Sequence, residues 1–218
     1  MTDTRRSLVV LAADGTMEAV LREFFKKGID RTLGCAAIDI DLRRDIFHSP
    51  LHTDGGLHKE AHKILQSRAN EYEHALVVLD QHFGGDRPAI EVRDEILGNL
   101  RAFGWDERAE VVVIDPELEV WLWQDNPNVE KALRHPREKT SKSLREQLRD
   151  EKLWPDGQLK PDAPQATFDR VRQRNKAGAR FGVYVQIAGS VSVKGCKDPS
   201  FLHFANTLRA WFPPTEFE

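Results

Sequence analysis

Ala75-Leu-Val-Val-Leu79 runs without a polar side chain into Asp80-Gln-His-Phe-Gly-Gly-Asp86, and Pro88 opens the segment that follows. A short apolar run stopped by an acid and two glycines reads as a strand buried on both faces, ending in a loop. Pro88 suits a first helical turn, and Ile90, Ile96, Leu97 and Leu100 mark a helix to Phe103. The same grammar recurs on either side. Ser7 to Ala13 is an apolar run ending at Asp14-Gly15; Thr16 then reads as the cap of a helix carrying Met17, Val20, Leu21, Phe24 and Phe25, closed by Gly28. Val111 to Ile114 is a further buried strand ending at Asp115-Pro116, with a helix expected over Glu117–Gln124. Between these, Cys35–Asp41 alternates and reads as a strand nearer a sheet edge, 43–56 as loop, and Leu57–Tyr72 as helix. Strands alternating with helices imply an α/β chain with an open, mostly parallel sheet flanked by helices. Such sheets place ligands at the carboxyl ends of their strands.

Beyond Asn128 the periodicity weakens. Helices are expected around Val129–His135, Ser141–Glu151 and Ser200–Trp211, with a polar loop at 154–164. Phe181–Ile187 is strand-like in composition but flanked by helical sequence. The expected organisation is a core over 1–127 and a mostly helical, basic extension over 128–218 that packs back on it. Of 218 residues 40% are apolar, which excludes a disordered chain. The longest uncharged run, Phe181 to Val193, is too short to span a bilayer of ~30 Å as a helix. Cys35 and Cys196 are isolated thiols without metal-type spacing, and no small-residue cleavage site follows Met1–Arg6, so a cytoplasmic protein is expected. The net charge of -3 is uneven: residues 130–180 hold 14 Lys/Arg against 8 Asp/Glu, the remainder 18 against 27. That asymmetry accommodates either an acidic centre beside a nucleic-acid-binding surface or a solvated helical excursion.

Acids fall at the ends of three expected strands: Asp14; Asp80 with Asp86; and Asp115 with Glu117 and Glu119. Hard cations such as Mg²⁺ take carboxylate oxygens, and two or three carboxylates converging on one sheet edge would serve phosphoryl transfer. Each acid also has a plain structural use, as a turn former or a helix start. A second constellation is His48, His52, His58 and His62 with Asp54 among them; His58 and His62 share a helix face at a spacing that can bind Zn²⁺. No Walker-type, dinucleotide or nucleophile-elbow motif is present.

Asp14-Gly-Thr-Met-Glu18 after the first strand, and Leu-Val-Val-Leu-Asp80 before a glycine-bearing loop, resemble a TOPRIM-type domain. Pro116-Glu-Leu-Glu-Val-Trp-Leu-Trp123 resembles the Pro-Glu-x-Glu-x-Trp segment of TOPRIM-like proteins of bacterial antiphage defence islands. Gly195-Cys-Lys-Asp-Pro-Ser-Phe201 is similar to the start of their closing helix. More narrowly, the chain is similar to small accessory proteins of the methylation-associated defence system. The resemblance implies a TOPRIM-like core over 1–127 with an acidic centre using Mg²⁺ or Mn²⁺ on DNA or RNA, and other proteins of the defence system as partners. It implies catalytic roles for Asp14, Glu18, Asp80 and Glu117, and metal-ligand roles for Asp80, Asp86, Asp115, Glu117 and Glu119. Where such domains carry Asp-x-Asp, this chain has Asp80-Gln-His82. Neutral imidazole binds Mg²⁺ poorly, so Asp86 or Glu91 would have to replace the missing ligand, or the site is degenerate. Nucleic-acid sensing or complex assembly without hydrolysis is therefore the leading expectation, and an active nuclease or phosphohydrolase the alternative.

Overall fold

The computed structural model describes residues 5–85 and 87–214. Its strands are β1 (Arg6–Ala12), β2 (Ile46–His48), β3 (Tyr72–Asp80) and β4 (Ala109–Ile114). They form one all-parallel sheet in the order β2-β1-β3-β4. Helices α1 (Gly15–Lys26), α2 (Ile29–Leu33), α3 (Asp54–Gln66) and α4 (Ala89–Leu100) fall between the strands. After β4 come α5 (Glu119–Leu122), α6 (Pro127–Ala132), α7 (Arg137–Thr140), α8 (Leu144–Asp150), α9 (Pro164–Arg174), α10 (Arg180–Ser190) and α11 (Pro199–Trp211). The α/β class and the parallel sheet are as the sequence predicts.

Several local expectations give way to side-chain chemistry. The cap of α1 is Asp14 rather than Thr16: Asp14 Oδ1 accepts the N–H groups of Thr16 at 2.7 Å and Met17 at 2.9 Å. Residues 35–41 form no strand. The turn that follows closes on Asp45, fully buried, which accepts Arg6 Nε at 3.1 Å, the Tyr72 hydroxyl at 2.9 Å and Asp41 N–H at 2.7 Å. Pairing with β1 therefore begins only at Ile46. Helix α3 starts at Asp54, before the expected Leu57, because Thr53 caps it through Gly56 N–H at 3.1 Å; it ends at Gln66, freeing Tyr72 to open β3. The helix expected over Glu117–Gln124 is one turn long. Helix α9 begins at the end of the expected 154–164 loop, and the Phe181–Ile187 segment, strand-like in composition, is helical like the sequence that flanks it.

Valines and leucines of β1, β3 and β4 are buried on both faces, as a parallel sheet between helical layers requires. Helix α10 packs along α1, and α4 and α11 along β4, so residues 128–214 share one apolar core with the sheet. Among the described residues, no helix is long and apolar enough to cross a membrane.

An acidic pocket at the sheet switch point

From β1 the chain steps outward to β2, then returns to the other side of β1 for β3 and β4. The crevice between the carboxyl ends of β1 and β3 is thus the place where connections diverge, the usual ligand site of an open α/β sheet. Asp14 follows β1 and Asp80 ends β3. A pocket of ≈ 70 Å³ opens there, lined by Asp14, Asp80, Glu119, Gln165, Arg180 and Tyr184 among others. That exceeds the ~10–15 Å³ needed to hold one water.

Helix geometry positions each acid. Asp14 caps α1, Asp54 is the first residue of α3, and Glu119 the first of α5. Of these, Asp14 accepts the first N–H groups of a full-length helix, worth ~0.3–1 kcal/mol, which offsets part of the cost of crowding like charges. Asp54 Oδ1 accepts Asp80 N–H at 2.7 Å, tying α3 to the end of β3. Glu119, 1% exposed, accepts the Tyr184 hydroxyl. Glu117 accepts Gln165 N–H at 3.2 Å and faces His82 Nδ1 at 3.7 Å.

Asp80 is the uncompensated member. Its Oδ1 is buried and accepts no hydrogen bond. Burial, then the charges of Asp54, Glu119, Asp14 and Glu117, push its carboxyl well above the usual range. Burial likewise raises Asp54 and Glu119, and it raises the Tyr184 hydroxyl, which stays protonated and able to donate.

The other predicted site residues lie apart. Glu18 is 8% exposed and committed to Arg22 at 2.6 Å and to His48, so it does not line the pocket. Both its oxygens are neutralised on the β2 side of the sheet. Asp115 is exposed beyond β4, Glu91 is exposed on α4, and Asp86 lies outside the described residues. The histidines separate: His48 packs on His52, while His58 pairs with Glu95 at 2.7 Å and His62 packs on Phe103. Only Asp54 of that constellation reaches the pocket region. Among the described residues, no three His, Cys, Asp or Glu stand in a ready metal-ligand arrangement. In the basic segment Arg137, Arg145, Arg149, Arg172, Arg174 and Arg180 are ion-paired with nearby acids. Pairing breaks up a continuous cationic track without removing the net positive charge.

The raised acids make stability pH-dependent. A carboxyl whose folded pKa lies above its unfolded value confers stability that is fully present below ~4 and is lost as pH rises through the folded value. Glu110 acts oppositely. Burial pushes it up, but His203, Arg93 and Val111 N–H outweigh that and hold it at about 2, so its contribution is lost only in acid. Urea unfolding is therefore expected to show maximal stability at mildly acid pH, falling by roughly 1–3 kcal/mol toward neutrality. Stability that climbs steadily from pH 4 to pH 8 would contradict this account of the pocket.

No known protein family, curated protein or solved structure matches this chain.

Proposed function

We propose that the chain is a TOPRIM-like component of a bacterial antiphage defence system, and that its acidic pocket takes a divalent cation, Mg²⁺ or Mn²⁺, in nucleic-acid sensing or complex assembly. The observation that carries this reading is the buried, unpartnered Oδ1 of Asp80 in a crevice ringed by carboxylates. Such an oxygen is an acceptor awaiting a partner. The donors around it are hard oxygens, which suit Mg²⁺ and Mn²⁺. An ion there would meet Asp80 first, with Asp14 and Glu119 lining the same pocket; among the described residues the three do not stand as a ready ligand set, so binding would have to draw them together, and the bound charge would then neutralise phosphate. The residues themselves fix the frame: Tyr184 orients Glu119, the first turn of α1 orients Asp14, and Asp54 anchors the backbone at Asp80.

A binding role accounts for the site better than hydrolysis. Glu18 is withdrawn into an ion pair, and His82, 78% exposed in its side chain, stands where a second acid would be needed. Hydrolysis keeps one supporting observation, the convergence of acids from three strand ends on one crevice. Calorimetric titration with Mn²⁺ and with Mg²⁺ tests the reading; saturable binding at micromolar to low-millimolar concentration is expected. No heat up to tens of millimolar would remove it. Metal-dependent cleavage of single- or double-stranded DNA or RNA by the pure chain would replace the binding role with the enzymatic one.

A further inference from the structure

The sheet ends at β4, and the open side of that strand lies in a slot between two helical layers. Among the described strands β4 pairs only with β3. Gln81 N–H donates to Ile114 O at 2.8 Å, which turns the main chain of Ile114, and by alternation that of Val112 and Glu110, toward β3. Ala109, Val111 and Val113 therefore present their N–H and C=O groups to the open side. Val111 N–H is taken by Glu110 Oε1 at 2.9 Å. The C=O of Val111 and both groups of Val113 meet no partner among the described residues, although Val111 is fully buried and Val113 only 8% exposed. Main-chain groups so enclosed are rarely left unpaired. The β1–α1–β2 and β3–α4–β4 connections run in opposite directions across the sheet, so right-handed crossovers put α1 and α4 on opposite faces. Helix α11 lies with α1, through Phe201 against Phe24. Between α4 and α11 a cavity of ≈ 390 Å³ opens onto the strand edge, lined by Ile90, Arg93, Val111, Val113 and His203 among others.

We propose that this slot is a docking site for an extended, uncharged segment of a partner protein, added as a fifth strand beside β4. An unpaired strand edge is completed by another main chain. Val111 O, Val113 N–H and Val113 O give the order acceptor, donor, acceptor. An antiparallel segment meets them with one residue that exchanges both bonds with Val113 and another, two positions along, that donates to Val111. Neither of those residues can be proline, which has no N–H to give. Charge complementarity decides the side chains. Glu110, the one charged residue of β4, accepts Arg93 Nε at 2.8 Å and Nη2 at 2.9 Å and faces His203 Nε2 at 3.4 Å. The remaining Arg93 nitrogen, Nη1, donates to Asp94 at 3.0 Å. Charge at the slot is thus internally balanced, and Ile90, 55% exposed, offers the segment an apolar wall. A second copy of the chain does not fit: its β4 lies equally deep between its own α4 and α11, and two recessed edges cannot meet. The inference supplies a kind of partner for complex assembly. It takes nothing from the acidic pocket, with which the slot shares no lining residue, so failure of the cation site leaves it standing.

The test begins with the free chain. Amide hydrogen exchange read by NMR should find Val113 N–H exchanging faster than Val112 and Ile114, whose N–H groups face β3. Displayed random octapeptides are then selected on the full chain, and a recovered peptide becomes the probe. It is expected to carry a run of uncharged, β-branched or aromatic residues and, when bound, to slow exchange at Val113. N-methylating its amides that face β4 should weaken binding by about tenfold or more, as the loss of two main-chain hydrogen bonds implies. Ile90→Asp should cost a similar factor, with circular dichroism unchanged, because the position is exposed in the first turn of α4, where an acid suits the helix. Recovery of no peptide above background overturns the proposal. So does a peptide that binds Ile90→Asp as tightly as the wild-type chain, or one that tolerates N-methylation. A Val113 amide as protected as Val112 in the free chain shows the edge already closed and overturns it. If that protection disappears on dilution, the edge belongs to a second copy and the partner segment is again overturned.

Discussion

Asp80→Asn is expected to melt several degrees above the wild-type chain and, if the proposed cation site exists, to lose the stabilisation that Mn²⁺ would confer. The backbone at Asp80 is fixed independently of its side chain, because its N–H is given to Asp54 Oδ1. What the side chain adds in the metal-free protein is a buried oxygen with no donor, on a carboxyl whose ionisation is opposed by burial and by Asp54, Glu119, Asp14 and Glu117. Asparagine keeps the shape, cannot ionise and brings two N–H donors to a pocket rich in acceptors. Relieving one unsatisfied buried group is worth ~1–3 kcal/mol. In a chain of this size each kcal/mol moves the melting temperature by roughly 2–4 °C. The wild-type chain, by contrast, should gain ~2.7 kcal/mol from Mn²⁺ at a hundred times its dissociation constant. Calorimetric scans in chelator and in Mn²⁺ give all four values. A mutant that melts lower in chelator would make Asp80 a structural acid with an unseen partner. A mutant that still rises with Mn²⁺ would place the cation elsewhere.

Lower stability in exchange for a binding site is what a functional pocket commonly shows, and it bears on how much of this molecule its sequence discloses. Apolar runs closed by Asp14, Asp80 and Asp115 make three strands and their common edge readable, because a doubly covered strand leaves little room for polar residues. β2 is not readable. Three residues of strand cannot establish a period, and its position is decided by Asp45 gathering Arg6, Tyr72 and Asp41 from distant sequence. The acids divide in the same way. Position along the chain nominates Asp14, Asp80 and Glu119, which line one pocket, yet it equally nominates Glu18, which an ion pair with His48 takes away. The wall formed by Gln165, Arg180 and Tyr184 leaves no local mark. Each is an ordinary helical residue until α9 and α10 are packed, and only an uncapped α10 beginning at an arginine hints at it.

Trp121→Ala is expected to be the most damaging single truncation near the pocket, and to weaken Mn²⁺ binding although Trp121 does not line it. The indole is fully buried, edge-on to Phe201 at 5.3 Å, tilted against Phe204 at 5.5 Å and stacked on Phe24 at 6.4 Å. Its Nε1 donates to Ser200 Oγ at 2.8 Å, and Ser200 in turn donates to Asp198, which caps α11. One side chain thus joins α1, α5 and α11. Removing it leaves a cavity among three aromatic rings and deprives Ser200 of its donor, a loss of ~3–5 kcal/mol. Against total stabilities of ~5–15 kcal/mol that is a large fraction, and the melting temperature should fall by roughly 6–20 °C. Because α5 is a single turn, it has no helical reserve to hold Glu119 two residues away, so the pocket floor should loosen with it. Trp121→Phe keeps a ring between Phe24 and Phe201 and should retain most of the Mn²⁺ affinity while losing only the bond to Ser200. If Trp121→Ala, measured well below its melting temperature, binds Mn²⁺ as tightly as the wild-type chain, then Glu119 is held by Tyr184 and Gln165 alone, and the aromatic cluster serves stability without shaping the site.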